Sequence, residues 1–224
     1  MSWLQPSLLL LTGLVLGMRH AFDRDHVAAV THFISLEPDP LKSAWFGFRW
    51  ALGHALTVLA LGSLILLLHL KFDPAFERYA ELAVGTTLIA LGVWRLALLV
   101  QERRHVHRHA HRRQEHTHPH SHEIGRAHVH RFAPTLVGMV HGASGTAEVF
   151  VLLPITLIST TWLAYLYIGL FSLGCAATMS GYGYVVGRFY RRANQTGQRI
   201  YRTLVVLTST SGLVLGVVWI LKNL

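Results

Sequence analysis

Two imidazoles and two carboxylates interrupt the first apolar segment of this chain. Residues 19–26 read RHAFDRDH, between LLLLTGLVLGM and VAAVTHFI, and six of these eight residues are ionisable. On a continuous helix His20, Asp23 and His26 would form one polar arc, with Asp25 off that arc. Imidazole and carboxylate together form an N/O ligand set that suits divalent first-row metals, with nickel favoured over cobalt. These residue types and spacings therefore predict a site for metal or proton handling.

The same charges allow a structural interpretation. Arg19 and Arg24 could pair with Asp23 and Asp25 and so tie neighbouring helices together. Charge at the centre of a bilayer is costly and usually functional, which favours the metal or proton site. In that case the two arginines would support the site by keeping the empty carboxylates ionised.

A related set of polar residues lies in the second half of the chain. His141, Ser144 and Glu148 are spaced three and four residues apart, so they would share one helix face. His54 adds another imidazole within an apolar segment. A single buried histidine is more often a hydrogen-bonded core residue than a ligand. Several histidines accompanied by acidic residues favour a shared metal site, and we include His54, His141 and Glu148 among its candidate ligands.

A histidine-rich segment separates the two halves. Residues 104–130 hold ten of the sixteen histidines. Alternating imidazoles in a loop can capture Ni²⁺, Co²⁺, Zn²⁺ or Cu²⁺ with little selectivity, whereas a solvated linker with incidental histidines is the alternative. The candidate loop ligands are His105, His107, His109, His111, His116, His118, His120 and His122.

The elements that must position these residues are apolar blocks. The chain is 52% hydrophobic and only 14% charged, with a mean hydropathy of +0.39. Six blocks lie at roughly 5–35, 44–70, 80–100, 133–158, 162–187 and 203–221, and most exceed the roughly 20 residues that a transmembrane helix needs. Because RHAFDRDH splits the first block, that block is either one long tilted helix or two half-helices with an irregular centre.

The distribution of lysine and arginine predicts how the chain is oriented in the membrane. The segments 36–43, 101–132 and 188–202 carry thirteen of these residues, against three on the opposite face, which places the first face in the cytoplasm. Both termini would then lie outside and the histidine-rich loop would be cytoplasmic. Arg95 falls near the cytoplasmic end of its span and could snorkel to the interface. The net charge of +9 thus reports topology in a multi-pass cell (inner) membrane protein rather than nucleic-acid binding.

The chain also repeats itself. GMRHA at 17–21 matches GMVHG at 138–142, and ALGH at 51–54 matches SLGC at 172–175, both with an offset of 121 residues. Each copy would hold three spans, and an odd number inverts the second copy in the membrane. The prediction is an all-α integral membrane protein with six transmembrane helices in an inverted 3+3 repeat, an architecture of transporters whose site lies near the midplane. The repeats are 1–100 and 133–224, with the loop at 101–132 between them.

RHAFDRDHVAAV resembles the H-x4-D-H signature of the nickel/cobalt transporter family, with His20, Asp25 and His26 at its three positions. FGFRWALGH at 46–54 is similar to that family's span ending in L-G-H. LVGMVHGASGTAEV at 136–149 resembles the H-G-x-x-G-[ST]-A block of the short urease-accessory-type nickel permeases. The resemblance covers nearly all the apolar chain and implies transport of divalent metal, with the first motif on the metal path.

The expected function is therefore transmembrane transport of Ni²⁺, with Co²⁺ next, as uptake driven by an ion gradient. Efflux is one alternative, and a non-transporting membrane accessory protein that binds metal is another. The chain has no P-loop and no evident nucleophile–base pair, so we expect no enzymatic activity and no permanently bound cofactor. The expected partners are the metal ion as substrate and membrane lipid, with a cytoplasmic metallochaperone as a further candidate and no nucleic acid.

Overall fold

The structure is a computed structural model that describes residues 4–69, 73–101, 110–111, 114–115, 132–144, 151, 153–158 and 160–224. Its helices are α1 (Leu4–His20), α2 (Arg24–Ile34), α3 (Pro40–Leu68), α4 (Pro74–Gln101), α5 (Ala133–Gly142), α6 (Leu153–Leu157), α7 (Thr161–Thr196) and α8 (Gln198–Asn223). Between α4 and α5, Ala110–His111 (β1) pairs antiparallel with Gln114–Glu115 (β2).

Four helices in the described part of the chain are long and apolar enough to cross a bilayer. These are α3, residues 75–101 of α4, α7 and α8. They confirm the prediction of an α-helical membrane protein. The fourth predicted span, 133–158, is described only as α5 and α6, with residues 145–150 outside the described part. The count of six spans therefore stays a prediction.

The first apolar block is two half-helices, one of the two arrangements predicted for it. α1 ends at His20, and residues 21–23 form a turn in which the amides of Phe22 and Asp23 bond the carbonyls of Arg19 and His20. Asp23 then has extended backbone angles and precedes the first turn of α2. The charged motif thus lies at a break between helices rather than along one helix.

The helices pack in two sets. α3 lies against α5 and α7, and α1 lies against α7, whereas α4 packs along α8. Glycines permit the closest of these contacts, because a Cβ at Gly138 of α5 would overlap the carbonyl oxygen of Trp50 on α3. Helices without a hydrophobic driving force between them use such small residues to bring their backbones together. The α3–α5 contact also brings His54 towards His141.

Arg95 differs from its predicted environment. Its side chain does not extend to an exposed end of α4 but is 1% exposed and hydrogen-bonded to Ser35 and Tyr201. The snorkelling prediction was wrong, because the neighbouring helices offer the guanidinium polar partners inside the protein.

Candidate metal centre

Three buried imidazoles converge on one point. The Nε2 atom of His20 lies 3.0 Å from Nε2 of His54 and 2.9 Å from Nε2 of His26. One ligand nitrogen from each of the three histidines lies within 4.8 Å of the others. Their side chains are 0–2% exposed. Three imidazole nitrogens aimed at a common, water-poor point are a suitable ligand set for a divalent transition metal.

The break between α1 and α2 creates this convergence. On a continuous helix, positions 20 and 26 would be separated by about 120° around the axis at about 100° per residue. With His20 at the end of α1 and His26 in the first turn of α2, the two rings instead meet edge to face at 4.5 Å between centroids. His54 reaches them from the middle of the 29-residue α3. The irregular backbone is thus part of the site.

The two carboxylates orient the imidazoles. Nδ1 of His20 donates to Oδ2 of Asp23 at 2.9 Å, and Nδ1 of His26 donates to Oδ2 of Asp25 at 2.8 Å. Carboxylates in this position fix the tautomer of a metal-binding histidine and leave Nε2 free to coordinate. The sequence placed one of these carboxylates on the metal itself. In the structure both carboxylates contact the Nδ1 atoms of the histidines, and direct binding of metal by Asp23 or Asp25 stays a prediction.

His141 lies beside this cluster with a free coordinating atom. Its Nδ1 donates to the carbonyl of Val137 at 2.9 Å, and its buried Nε2 has no hydrogen-bond partner among the described residues. Its ring centroid is 5.6 Å from that of His26. The predicted association of His141 with the first motif is therefore observed, although its nitrogen is outside the group of three that share one point.

Two aromatic residues that sequence reasoning missed form walls of the site. Trp50 packs against three imidazoles, with centroid distances of 4.6 Å to His26, 5.4 Å to His54 and 5.5 Å to His141. Phe171 lies 5.2 Å from His20. The spacing of Trp50 and His54, four residues apart on one helix, is the signal that could have identified the tryptophan. Such rings exclude water, which strengthens electrostatic attraction to a bound cation.

The remaining predicted residues have exposed side chains, or their side chains lie outside the described part of the chain. Arg19 and Arg24 have exposed side chains, and their support of the carboxylates stays a prediction. Glu148 lies outside the described residues, and for His111 only the backbone is described. The other predicted loop ligands also lie outside the described residues: His105, His107, His109, His116, His118, His120 and His122.

Comparison with known proteins adds one finding to this geometry. The chain is 29% identical over 222 residues to the urease accessory protein UreH of Bacillus sp. (strain TB-90), which covers 93% of this chain and 89% of UreH. This similarity confirms the predicted resemblance to urease-accessory-type proteins, and the relative's name agrees with a non-enzymatic role. No family model and no solved structure matches the chain.

Proposed function

We propose that this chain is a membrane transporter of divalent transition-metal ions, with Ni²⁺ as its first substrate and Co²⁺ as its second. The observation that carries the proposal is the convergence of the Nε2 atoms of His20, His26 and His54, two of them oriented by carboxylates. Buried histidines that are held in this way within apolar segments can replace the water shell of a metal ion.

The ligand types support Ni²⁺ as the first substrate. Imidazole nitrogens with nearby carboxylates suit divalent first-row metals, and such N/O sites bind nickel more tightly than cobalt. Nε2 of His20 lies 2.9 and 3.0 Å from Nε2 of its two neighbours, which are ordinary hydrogen-bond distances. The choice of metal therefore rests on the ligand types and not on the nitrogen spacing.

Protons would compete with the metal in this site. Because Nδ1 of His20 and of His26 each donates to a carboxylate, both Nε2 atoms present lone pairs across 2.9 Å. Two lone pairs repel unless a proton or a metal ion lies between them. Metal binding would therefore compete with protonation of these nitrogens, and a proton gradient could drive uptake through this competition.

Contacts between the two halves support the inverted 3+3 repeat and its six spans. A Cβ on a glycine would overlap or closely approach a carbonyl oxygen of the other half at several places. Four of these contacts form two pairs that are related by the 121-residue offset. The first pair is Gly17 with Phe171 and Gly138 with Trp50, and the second is Gly53 with Thr135 and Gly174 with Leu14. His20 and His141 have the same offset, so the metal site lies where the repeats meet, as in transporters built from inverted repeats.

In the complete proposal, His141 and Glu148 complete or relay the site, Arg19 and Arg24 support its carboxylates, and the histidine-rich loop captures metal on the cytoplasmic side. Both termini lie outside the cell membrane. A cytoplasmic metallochaperone would receive the ion.

Nickel accumulation in cells tests this function. Cells expressing the wild-type chain, the His20→Ala variant or an empty vector are compared for accumulated radioactive nickel. We expect more nickel in wild-type cells than in the other two. A motif-dependent fall below the empty vector would establish efflux instead of uptake, and equal accumulation in all three would contradict transport of nickel.

The name of the relative favours a second candidate function. UreH is an accessory protein, and this chain could likewise bind metal at the membrane without transporting it. The histidine-rich segment 104–130 would then carry the function. Transport by the purified chain separates the two candidates, because an accessory protein moves no ion.

A further inference from the structure

The half-helix that carries Asp25 and His26 is short. α2 has 11 residues, and the turn at residues 21–23 separates it from α1. A helix of this length is marginal on its own, so its neighbours determine where it lies. It contacts α3, α4, α5, α7 and α8. The position of His26 in the metal site therefore depends on what holds α2.

Two residues bind the far end of this half-helix. Ser35 is the C-cap of α2, and its carbonyl oxygen accepts from Nη2 of Arg95 at 3.1 Å and from the hydroxyl of Tyr201 at 2.6 Å. Arg95 also donates from Nε to the Ser35 hydroxyl at 3.0 Å, and from Nη2 to the Tyr201 hydroxyl at 3.2 Å. Carbonyls at the C-terminal end of a helix lack intrahelical partners and carry partial negative charge. The buried guanidinium of Arg95 thus faces the negative end of α2.

These two donors come from the second packing set. Arg95 is on α4 and Tyr201 is on α8, and a Cβ at Gly92 of α4 would lie only 3.0 Å from the carbonyl oxygen of Ser209 on α8. Within the described residues, α4 contacts α2, α5 and α8 but not α1, α3 or α7. α2 is therefore one of the connections between the α4–α8 pair and the helices α3, α5 and α7, beside the direct α4–α5 and α7–α8 contacts.

We infer that Arg95 and Tyr201 are positioning residues of the metal site: they anchor the end of α2 to α4 and α8 and so set the distance of His26 from His20 and His54. Ser35 and His26 are nine residues apart, about 13 Å along the helix at a rise of 1.5 Å per residue. A shift of the anchored end therefore moves His26. The consequence for transport rests on the proposed function, whereas the anchoring of α2 can be tested without it.

The Tyr201→Phe variant of the intact chain tests this inference with the smallest structural change, because it removes one hydroxyl and keeps the ring. Tyr165→Phe is its matched control, since Tyr165 donates to Ser63 between α7 and α3, away from α2. Arg95→Gln removes the charge, and Arg95→Lys restores a cation that can still donate to Ser35. Hydrogen exchange of residues 24–35 in detergent is measured together with the KM and maximal rate of nickel transport in proteoliposomes.

In the Tyr201→Phe and Arg95→Gln variants, we expect faster exchange in α2, unchanged exchange in α3, and a KM raised about tenfold, the lower end of the effect of losing an outer-shell partner. The maximal rate should change less than KM. Arg95→Lys should have a KM between those of Arg95→Gln and the wild type, and Tyr165→Phe should match the wild type.

Unchanged hydrogen exchange in α2 would overturn the anchoring. Faster exchange with an unaltered KM would overturn the positioning role. A wild-type protein that carries no nickel would contradict the proposed function instead, and the exchange data would still decide the anchoring.

Discussion

The Nε2 atoms of His20 and His54 lie 3.0 Å apart, although the two residues are 34 positions apart in the chain. His20 ends a half-helix, and His54 is at the centre of a long helix, so the contact joins a break in the backbone to the middle of a span. Neither ring is exposed. A metal ion between them would replace a contact that otherwise needs a shared proton.

Removal of His54 should strongly weaken the binding of nickel during transport. The His54→Ala variant loses one of three converging nitrogens, and we expect at least about a hundredfold loss in apparent affinity, because loss of an outer-shell group alone costs 10–100-fold. Concentration-dependent nickel uptake measures this loss. His69→Asn is the control, since His69 is exposed at the end of α3 in a left-handed conformation that asparagine tolerates. Wild-type nickel uptake by the His54→Ala variant would show that His54 is not a metal ligand.

The Asp25→Asn variant should still bind metal, but with lower affinity than the wild type. Its carboxylate orients His26, and an amide can present its NH₂ to the ring and favour the wrong tautomer, so we expect KM to rise about 10–100-fold. The same substitution at Asp73, which only caps the start of α4, should leave KM unchanged. Equal KM values for the Asp25→Asn variant and the wild type would show that the Asp25–His26 contact does not control the ligand.

The α3–α5 contact should be intolerant of a single methyl group. A Cβ at Gly138 would overlap the carbonyl of Trp50, so Gly138→Ala must separate the two helices. We expect a loss of about 1–3 kcal/mol in stability, as for other overpacked sites, together with reduced nickel uptake. At Gly181 of α7 an added Cβ meets nothing within 4 Å, so Gly181→Ala is the matched control. Thermal unfolding in detergent compares the two variants, and equal stability would contradict the described packing.

Apparent affinity for nickel should fall as the pH at the loading side falls. In the proposed site metal binds through unprotonated Nε2 atoms, so each added proton would occupy a position that the ion needs. Acidification therefore raises KM. Initial rates of uptake at several nickel concentrations give KM at each pH. A KM independent of pH would rule out proton–metal competition at the site.

Deletion of residues 104–130 should leave nickel transport in place, with an altered apparent affinity. The histidines of the proposed metal site remain after the deletion, whereas in the proposed function the loop only captures metal before or after transport. Expression level, measured on the same membranes, is the control for folding. Complete loss of nickel-dependent function in a well-expressed deletion variant would favour the accessory role.

The sequence predicted the members of the site better than their arrangement. His20, His26, His54 and His141 were all predicted from polar residues in apolar segments and are all buried in one region. Helical periodicity orders residues only within one helix. It could therefore not show that a break would turn His26 towards His20.

The roles of other residues depended on contacts between helices. Asp25 contacts the ring of the next residue, and whether it orients that ring or binds metal depends on side-chain rotamers that a pattern does not contain. Arg95 was expected to reach the interface, and its burial depends on the end of α2 and on Tyr201. The helical membrane character was predictable because it follows from composition and segment length alone.

Nickel flux into proteoliposomes that contain only the purified chain tests the central claim most directly. A metal-sensitive dye inside the vesicles reports entry after Ni²⁺ is added outside, with and without an inward or outward proton gradient. We expect saturable entry with the wild type and none above protein-free vesicles with His20→Ala or His54→Ala. Absence of flux with a folded wild-type protein under either gradient, or equal flux with the two histidine variants, would contradict transport through this site.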